Sequence, residues 1–197
     1  MHKEIPNKYD LIKEDTQIII TDKVGLLACL SLYTITTLNE KLFEKLNKYG
    51  IQENELNQLK ELAIKNLTEP KSSLGKIISK FLPDFENEFD LQSHILVTYP
   101  ISKNGISSLY EISKLINSEL IINDIPLVDK DIANFVSKEY LISNPTASTP
   151  NTNIIMVSKE MSSTVIDELN KNKFNSKVIG KIGKMGTPRI TFNNKKE

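Results

Sequence analysis

Residues 100–112 read PISKNGISSLYEI, a tight loop that runs into the first turns of an amphipathic helix. Lys103, Asn104 and Gly105 give the loop a cation, an amide and a backbone hinge. A strand–loop–helix junction of this kind is suited to phosphate, because the first N–H groups of the helix are free and the helix dipole favours an anion. Ser102, Lys103, Asn104 and Gly105 are therefore the candidate ligand-binding residues. Two readings stand: a residual phosphate or anion site, in which Lys103 adds a point charge, and a plain strand-to-helix connection. Glu111 lies one turn into the helix and reads as ordinary helix surface.

Other residues of chemical type are isolated. Cys29 is the only cysteine and lies in the apolar run GLLACL. With no base nominated beside it, it reads as a reduced core thiol, and a disulfide framework is excluded. His94 has no metal-ligand partner close in sequence, because His2 is near the terminus and Cys29 is in a helix. A zinc site does not follow, and a structural histidine does. No metal is expected.

The elements that position the loop belong to one sizeable domain. The chain has 197 residues, 39% of them hydrophobic and 25% charged, as in ordinary globular proteins. Lys plus Arg equals Asp plus Glu, 25 each. A general nucleic-acid binder would need a basic excess. The start, MHKEIPNKYD, is too polar for a signal peptide, and no apolar run is long enough to span a membrane. A cytoplasmic location is expected.

TQIIIT, Thr16 to Thr21, reads as a buried strand. A helix is expected from about Leu26 to Tyr49, with Gly50 as its C-terminal cap. A second covers 51–67, with Leu56, Leu59, Ala63 and Leu67 on one face, and Pro70 breaks it. A third, 72–82, stops at Pro83. DFENEFD is a solvated connection. SHILVT is a strand leading into the candidate loop. The next helix, 106–117, turns Ile106, Leu109, Ile112, Leu115 and Ile116 inward. ELIIND is a short strand ended by Ile125-Pro126, and Asp129 to Tyr140 is helical. SNPTASTPNT is a long polar loop. NIIMVS, a helix with Met161, Val165, Ile166 and Leu169 inward, and SKVIGKI make a strand–helix–strand unit, with Ser158 as N-cap. The order is β-ααα-β-α-β-α-loop-β-α-β, an α/β (α+β) domain with a mixed sheet flanked by helices. The boundaries are an N-terminal extension over 1–12, the domain over 13–192 and a disordered tail over 193–197.

This order of segments resembles the C-terminal domain of the aminoimidazole-ribonucleotide (AIR) synthetase superfamily. That group includes selenophosphate synthetase, thiamin-monophosphate kinase and the hydrogenase-maturation carbamoyl dehydratase HypE. In KEDTQIIITDKVGLLACL the apolar strand, Thr21 and Gly25 match the family pattern. The family's Gly-Asp pair is Asp15-Thr16 here, and two further glycines are Asp22 and Ala28. The family's His-Asp-x-Thr-Lys/Arg-Gly-Gly loop is matched at Ile101, Ser102, Lys103, Gly105 and Glu111. Its His-Asp is Tyr99-Pro100 here, and its first Gly is Asn104. Ile125-Pro126 and the strand Val178 to Ile182 fit. The family's Asp-Pro is Asn144-Pro145, so Asn144 joins the candidate ligand-binding residues. Pro188-Arg189-Ile190 resembles the Pro-Arg-Ile-Cys tail of the hydrogenase-maturation branch, with Thr191 where the reactive cysteine stands. A Thr hydroxyl does not replace a thiolate without a strong base.

The resemblance implies a family apolar skeleton from which the ligand-facing carboxylates and glycines are mostly gone. An Asp replaced by Pro loses a carboxylate and a backbone donor together, and one missing general acid or base costs roughly 10²–10⁴ in rate. No catalytic residue is nominated. The family's ATP- and magnesium-binding domain precedes this one in full-length relatives and is expected to be missing here. The resulting expectation is a stand-alone, non-catalytic module that binds a partner or a small anion. The alternative is one half of a split ATP-dependent enzyme whose ATP-binding domain is a separate chain. No cofactor is expected for the chain alone, with ATP and magnesium entering only beside such a partner. A homo-oligomer that buries the orphaned domain face is compatible with the first reading.

Overall fold

A computed structural model describes residues 7–69, 73–139 and 141–193. The expected break at Pro70, Tyr140, His2, Lys195 and Lys196 lie outside the described residues. The elements are β1 (Gln17–Ile20), α1 (Leu26–Thr37), α2 (Glu40–Lys48), α3 (Glu53–Thr68), α4 (Ser73–Lys80), β2 (Val97–Pro100), α5 (Ser108–Leu115), β3 (Ser118–Ile122), α6 (Lys130–Lys138), β4 (Asn153–Val157), α7 (Ser162–Lys171), β5 (Lys177–Met185) and β6 (Arg189–Phe192).

The strands form one six-stranded sheet in the order β2-β4-β1-β5-β3-β6. Neighbours are antiparallel except β3 and β6, which are parallel. β4 and β5 flank β1 and run parallel to each other, so the β4–α7–β5 unit is a crossover split by the first strand. Side chains on a strand alternate between faces. Ile18 and Ile20 therefore pack with Leu109 and Ile112 of α5 on one face. Ile19 packs with Leu74 and Ile77 of α4 and Val165 and Leu169 of α7 on the other. A mixed sheet flanked by helices is thus the observed fold.

A third cluster lies off the sheet. Leu32 of α1, Leu42 and Leu46 of α2, Leu56 of α3 and Phe135 of α6 build a small helical bundle. The bundle closes over the end of β1 from which α1 departs. Residues 7–12 pack on the domain as well: Asn7 bridges Val97, and Ile12 is buried.

Several elements depart from their expected limits. The helix expected over 26–49 is two, α1 and α2, separated at Leu38-Asn39. The run Thr34-Ile35-Thr36-Thr37 is β-branched, and the hydroxyls of Thr36 and Thr37 donate to carbonyls three residues back. Such back-bonding weakens a helix. In α3, Leu67 points outward and Asn66 is the buried residue instead. Leu115, expected inside, is exposed because α5 ends there and the chain turns at Ile116. β2 begins only at Val97, since residues 91–94 are a turn. β5 runs on to Met185 and is followed by β6, a strand with no sequence expectation. Gly50 caps α2 at φ +78, as expected. No helix among the described residues is long and apolar enough to cross a membrane.

Candidate functional site

The candidate loop leaves the sheet at Pro100, whose missing N–H is tolerated at the end of an edge strand. Ser102 to Asn104 form a turn, and Gly105–Ser107 is a single 3-10 turn ahead of α5. The structure brings all five sequence-nominated residues together. The Asn144 amide, Nδ2, donates to the Asn104 carbonyl at 2.8 Å. The Ser148 N–H donates to the Ser102 carbonyl at 2.6 Å. Gly105 is buried with φ +52, and a Cβ there would stand 2.3 Å from the Thr146 carbonyl oxygen. Only glycine fits that approach. Lys103 and Asn104 are exposed on the outer side of the turn.

The N–H donors of the 3-10 turn are already engaged. The Gly105 N–H donates to the Ile101 carbonyl at 2.6 Å, and the Ser107 N–H to the Asn104 carbonyl at 3.1 Å. The Ile106 N–H donates to the Thr146 hydroxyl at 3.0 Å. Thr146 is held in turn by Asn144, whose Oδ1 accepts from the Thr146 N–H at 3.0 Å and its hydroxyl at 2.7 Å. Both ends of the Asn144 amide are thus committed to the protein's own backbone and loop.

The long polar loop 143–152 closes this corner and ties it to β1 and α1. The Thr21 hydroxyl donates to the Asn151 carbonyl at 2.8 Å and accepts from the Asn153 N–H at 2.9 Å. The Gly25 N–H donates to Ser148 Oγ at 2.9 Å, and Ser148 Oγ donates to the Thr146 carbonyl at 3.0 Å. Gly25 has φ +104, and a Cβ there would meet the Pro145 carbonyl oxygen at 3.0 Å. Thr146 and Ser148 were missed in the sequence. Their signal is the Asn-Pro-Thr turn, in which an Asn side chain bonds the N–H two residues on.

Few ionisable groups surround the corner. The Tyr99 hydroxyl donates to Glu111 Oε2 at 3.3 Å, and partial burial, then the Glu111 charge, raises the phenol above its ordinary range. Glu111 itself is exposed helix surface. No nucleophile–base pair is assembled at this corner among the described residues. Nor does any group of three His, Cys, Asp or Glu among them have metal-binding geometry.

The remaining sequence candidates are structural. Cys29 is buried, and burial pushes its thiol up to about 12. His94 Nδ1 accepts from the Asp90 N–H at 2.9 Å, and its ring rests 5.5 Å from that of Phe89. Thr191 donates its hydroxyl to Glu119 Oε1 at 2.6 Å, beside an Arg189 Nε contact of 2.8 Å. The Lys184 N–H donates to the other Glu119 oxygen at 3.2 Å. Arg189 first, then Thr191, hold the Glu119 carboxyl down at about 2. The Pro188–Thr191 segment is thereby pinned to the sheet as β6.

No family model and no curated protein matches the chain. Solved structures do. The thiamine-monophosphate kinase of Stenotrophomonas maltophilia K279a superposes with TM-score 0.58 at 11% identity, over 95% of this chain and 52% of that one. E. coli HypE does so with TM-score 0.59 at 10% identity, over 96% and 50%. A hydrogenase maturation protein HypE in complex with ATP gives TM-score 0.54 at 12% identity, over 94% and 49%. The chain spans about half the length of these proteins, and the likeness is to their C-terminal half. It has the fold of the AIR synthetase superfamily.

Proposed function

We propose that this chain is a non-catalytic binding module built on the AIR synthetase C-terminal fold. One observation carries the reading. The backbone donors at the loop–helix junction are spent on Thr146, Ile101 and Asn104, and the Asn144 amide is spent holding Thr146. A transferred phosphoryl group needs preorganised donors and cations aimed at it. Here an anion meets the exposed Lys103 ammonium and Asn104 side chain and the half-buried Ser102, with none of the Gly105, Ile106 and Ser107 N–H groups left for it. A helix terminus and one exposed charge supply about 1 kcal/mol, far short of the roughly 8 kcal/mol that a micromolar complex needs. Ser102, Lys103, Asn104, Gly105 and Asn144 are then a residual anion contact of low affinity.

The partners that suit this module are a second copy of the chain or a separate ATP-binding-domain protein. The alternative, half of a split ATP-dependent enzyme, is favoured by one observation: the solved structures of this fold, one of them holding ATP, are about twice as long. Calorimetry with Mg-ATP separates the two. The expected result for the isolated chain is no binding tighter than high micromolar. A low-micromolar dissociation constant overturns the non-catalytic reading in favour of the enzyme half.

A further inference from the structure

A cavity lies where Thr149 of loop 143–152 meets α1 and α3. It has a volume of about 470 Å³, bounded by the first turn of α1, the outer half of α3, the β3–α6 connection and the α7–β5 turn. That volume is within the range of small-molecule sites, roughly 300–1,000 Å³. Its walls are of three kinds. Leu26, Leu59, Leu62 and Val128 give an apolar surface. Lys23, Lys65 and Lys173 stand around it against one carboxylate, Asp22. Lys23 and Lys65 have no ion-pair partner among the described residues.

The third kind of wall is buried and polar. Asn66 is 9% exposed and Thr149 is 3% exposed. The Asn66 amide Nδ2 reaches Thr149 Oγ1 at 3.5 Å, the outer limit of a hydrogen bond, and its Oδ1 accepts none among the described residues. That oxygen is not one of the fully buried, unpartnered side-chain atoms, so it is open to the solvent of the cavity. An amide held at the cavity wall with an unused acceptor is a recognition group for a donor on a ligand. The helical repeat of α3 would otherwise place an apolar residue there, and Leu67 instead faces outward.

We infer that this cavity binds a small organic anion. Its phosphate, sulfonate or carboxylate lies against Lys23 and Lys65, its apolar or aromatic body on Leu59 and Leu62, and a donor on that body reaches Asn66. The assignment goes beyond the non-catalytic reading and does not depend on it, because it uses none of residues 102–105 or Asn144. A bare inorganic anion would leave the leucines and Asn66 unused, so the apolar body is part of the recognition.

The test uses two probes, 8-anilinonaphthalene-1-sulfonate and inorganic pyrophosphate, titrated into nitrogen-15-labelled protein. The sulfonate is expected to bind saturably at one site and to shift the side-chain amide resonances of Asn66. Lys65→Glu is expected to weaken it at least tenfold, while Lys41→Glu, on the exposed face of α2, leaves it unchanged. Pyrophosphate is expected to bind at least tenfold more weakly than the sulfonate. Equal sulfonate affinity in Lys65→Glu overturns the inference. So do Asn66 resonances that stay still at saturation, or pyrophosphate that binds as tightly as the sulfonate. Lys65 is exposed, so its replacement leaves the fold intact. Tight Mg-ATP binding that leaves the Asn66 resonances in place would remove the non-catalytic reading alone.

Discussion

Thr146 connects two parts of the chain through one hydroxyl, accepting from the Ile106 N–H and donating to Asn144 Oδ1. Its carbonyl also comes within reach of any side chain at position 105. Gly105→Ala therefore meets both a positive φ and a backbone clash. The expected cost is about 2–4 kcal/mol, read as a lower urea midpoint. Gly75→Ala is the contrast, because Gly75 is inside α4 with nothing within 4 Å of a new Cβ. It should stabilise by about 0.5–1 kcal/mol. Equal effects at the two sites would contradict the close packing of the loop. At this scale the sequence was readable for Ser102 to Gly105 and for Asn144, whose types imply a turn. It did not reveal that they meet, because forty residues separate Asn104 from Asn144. Asn66 was unreadable for a related reason: helical periodicity pointed to Leu67, and the Thr149 hydroxyl that Asn66 meets lies 83 residues away in the sequence.

Strands and helices were legible where one face is apolar and a clear stop signal follows. β1 and β4 carry short apolar runs rich in isoleucine, and α7 shows its inward residues at helical spacing. The break between α1 and α2 was hidden because apolar residues continue through it. β6 was hidden because RITF has only four residues on a sheet edge, three of them exposed. What holds it is the Glu119 carboxylate, which takes Arg189 and Thr191 together. The Glu119 carboxyl is held at about 2 in the fold, against 4.5 ordinarily. A depressed carboxyl stabilises the fold above the ordinary value, and that contribution is lost as pH falls through the lowered one. Wild-type stability should thus decline between about pH 5 and pH 2. Glu119→Gln should be less stable at pH 7 and flatter in this window. Parallel pH profiles for the two proteins would contradict the role given to Glu119.

The whole molecule is a two-faced sheet with a helical bundle at one end, and its candidate corner is where the two meet. The apolar framework was legible as a resemblance because burial keeps hydrophobic positions in order even when polar residues change. The interlocking of loop 143–152 with residues 101–106 was not, since polar loops carry little periodic signal. Exposed apolar side chains remain, including Leu38 at 84% and Phe85 at 77% exposure, with Ile64 and Leu67 on α3. Such residues suit self-association. Light scattering is expected to give a dimer or larger species, and a monodisperse monomer at high concentration would contradict the homo-oligomer. At the α5 junction the Gly105, Ile106 and Ser107 N–H groups bond the chain itself, and the proposal resting on this is a chain that transfers no phosphoryl group. Phosphate release from Mg-ATP by the purified chain tests it most directly, with Lys103→Ala and Asn144→Ala as companions. No release above buffer is expected for any of the three proteins. Turnover by the wild type that disappears in either variant would contradict it.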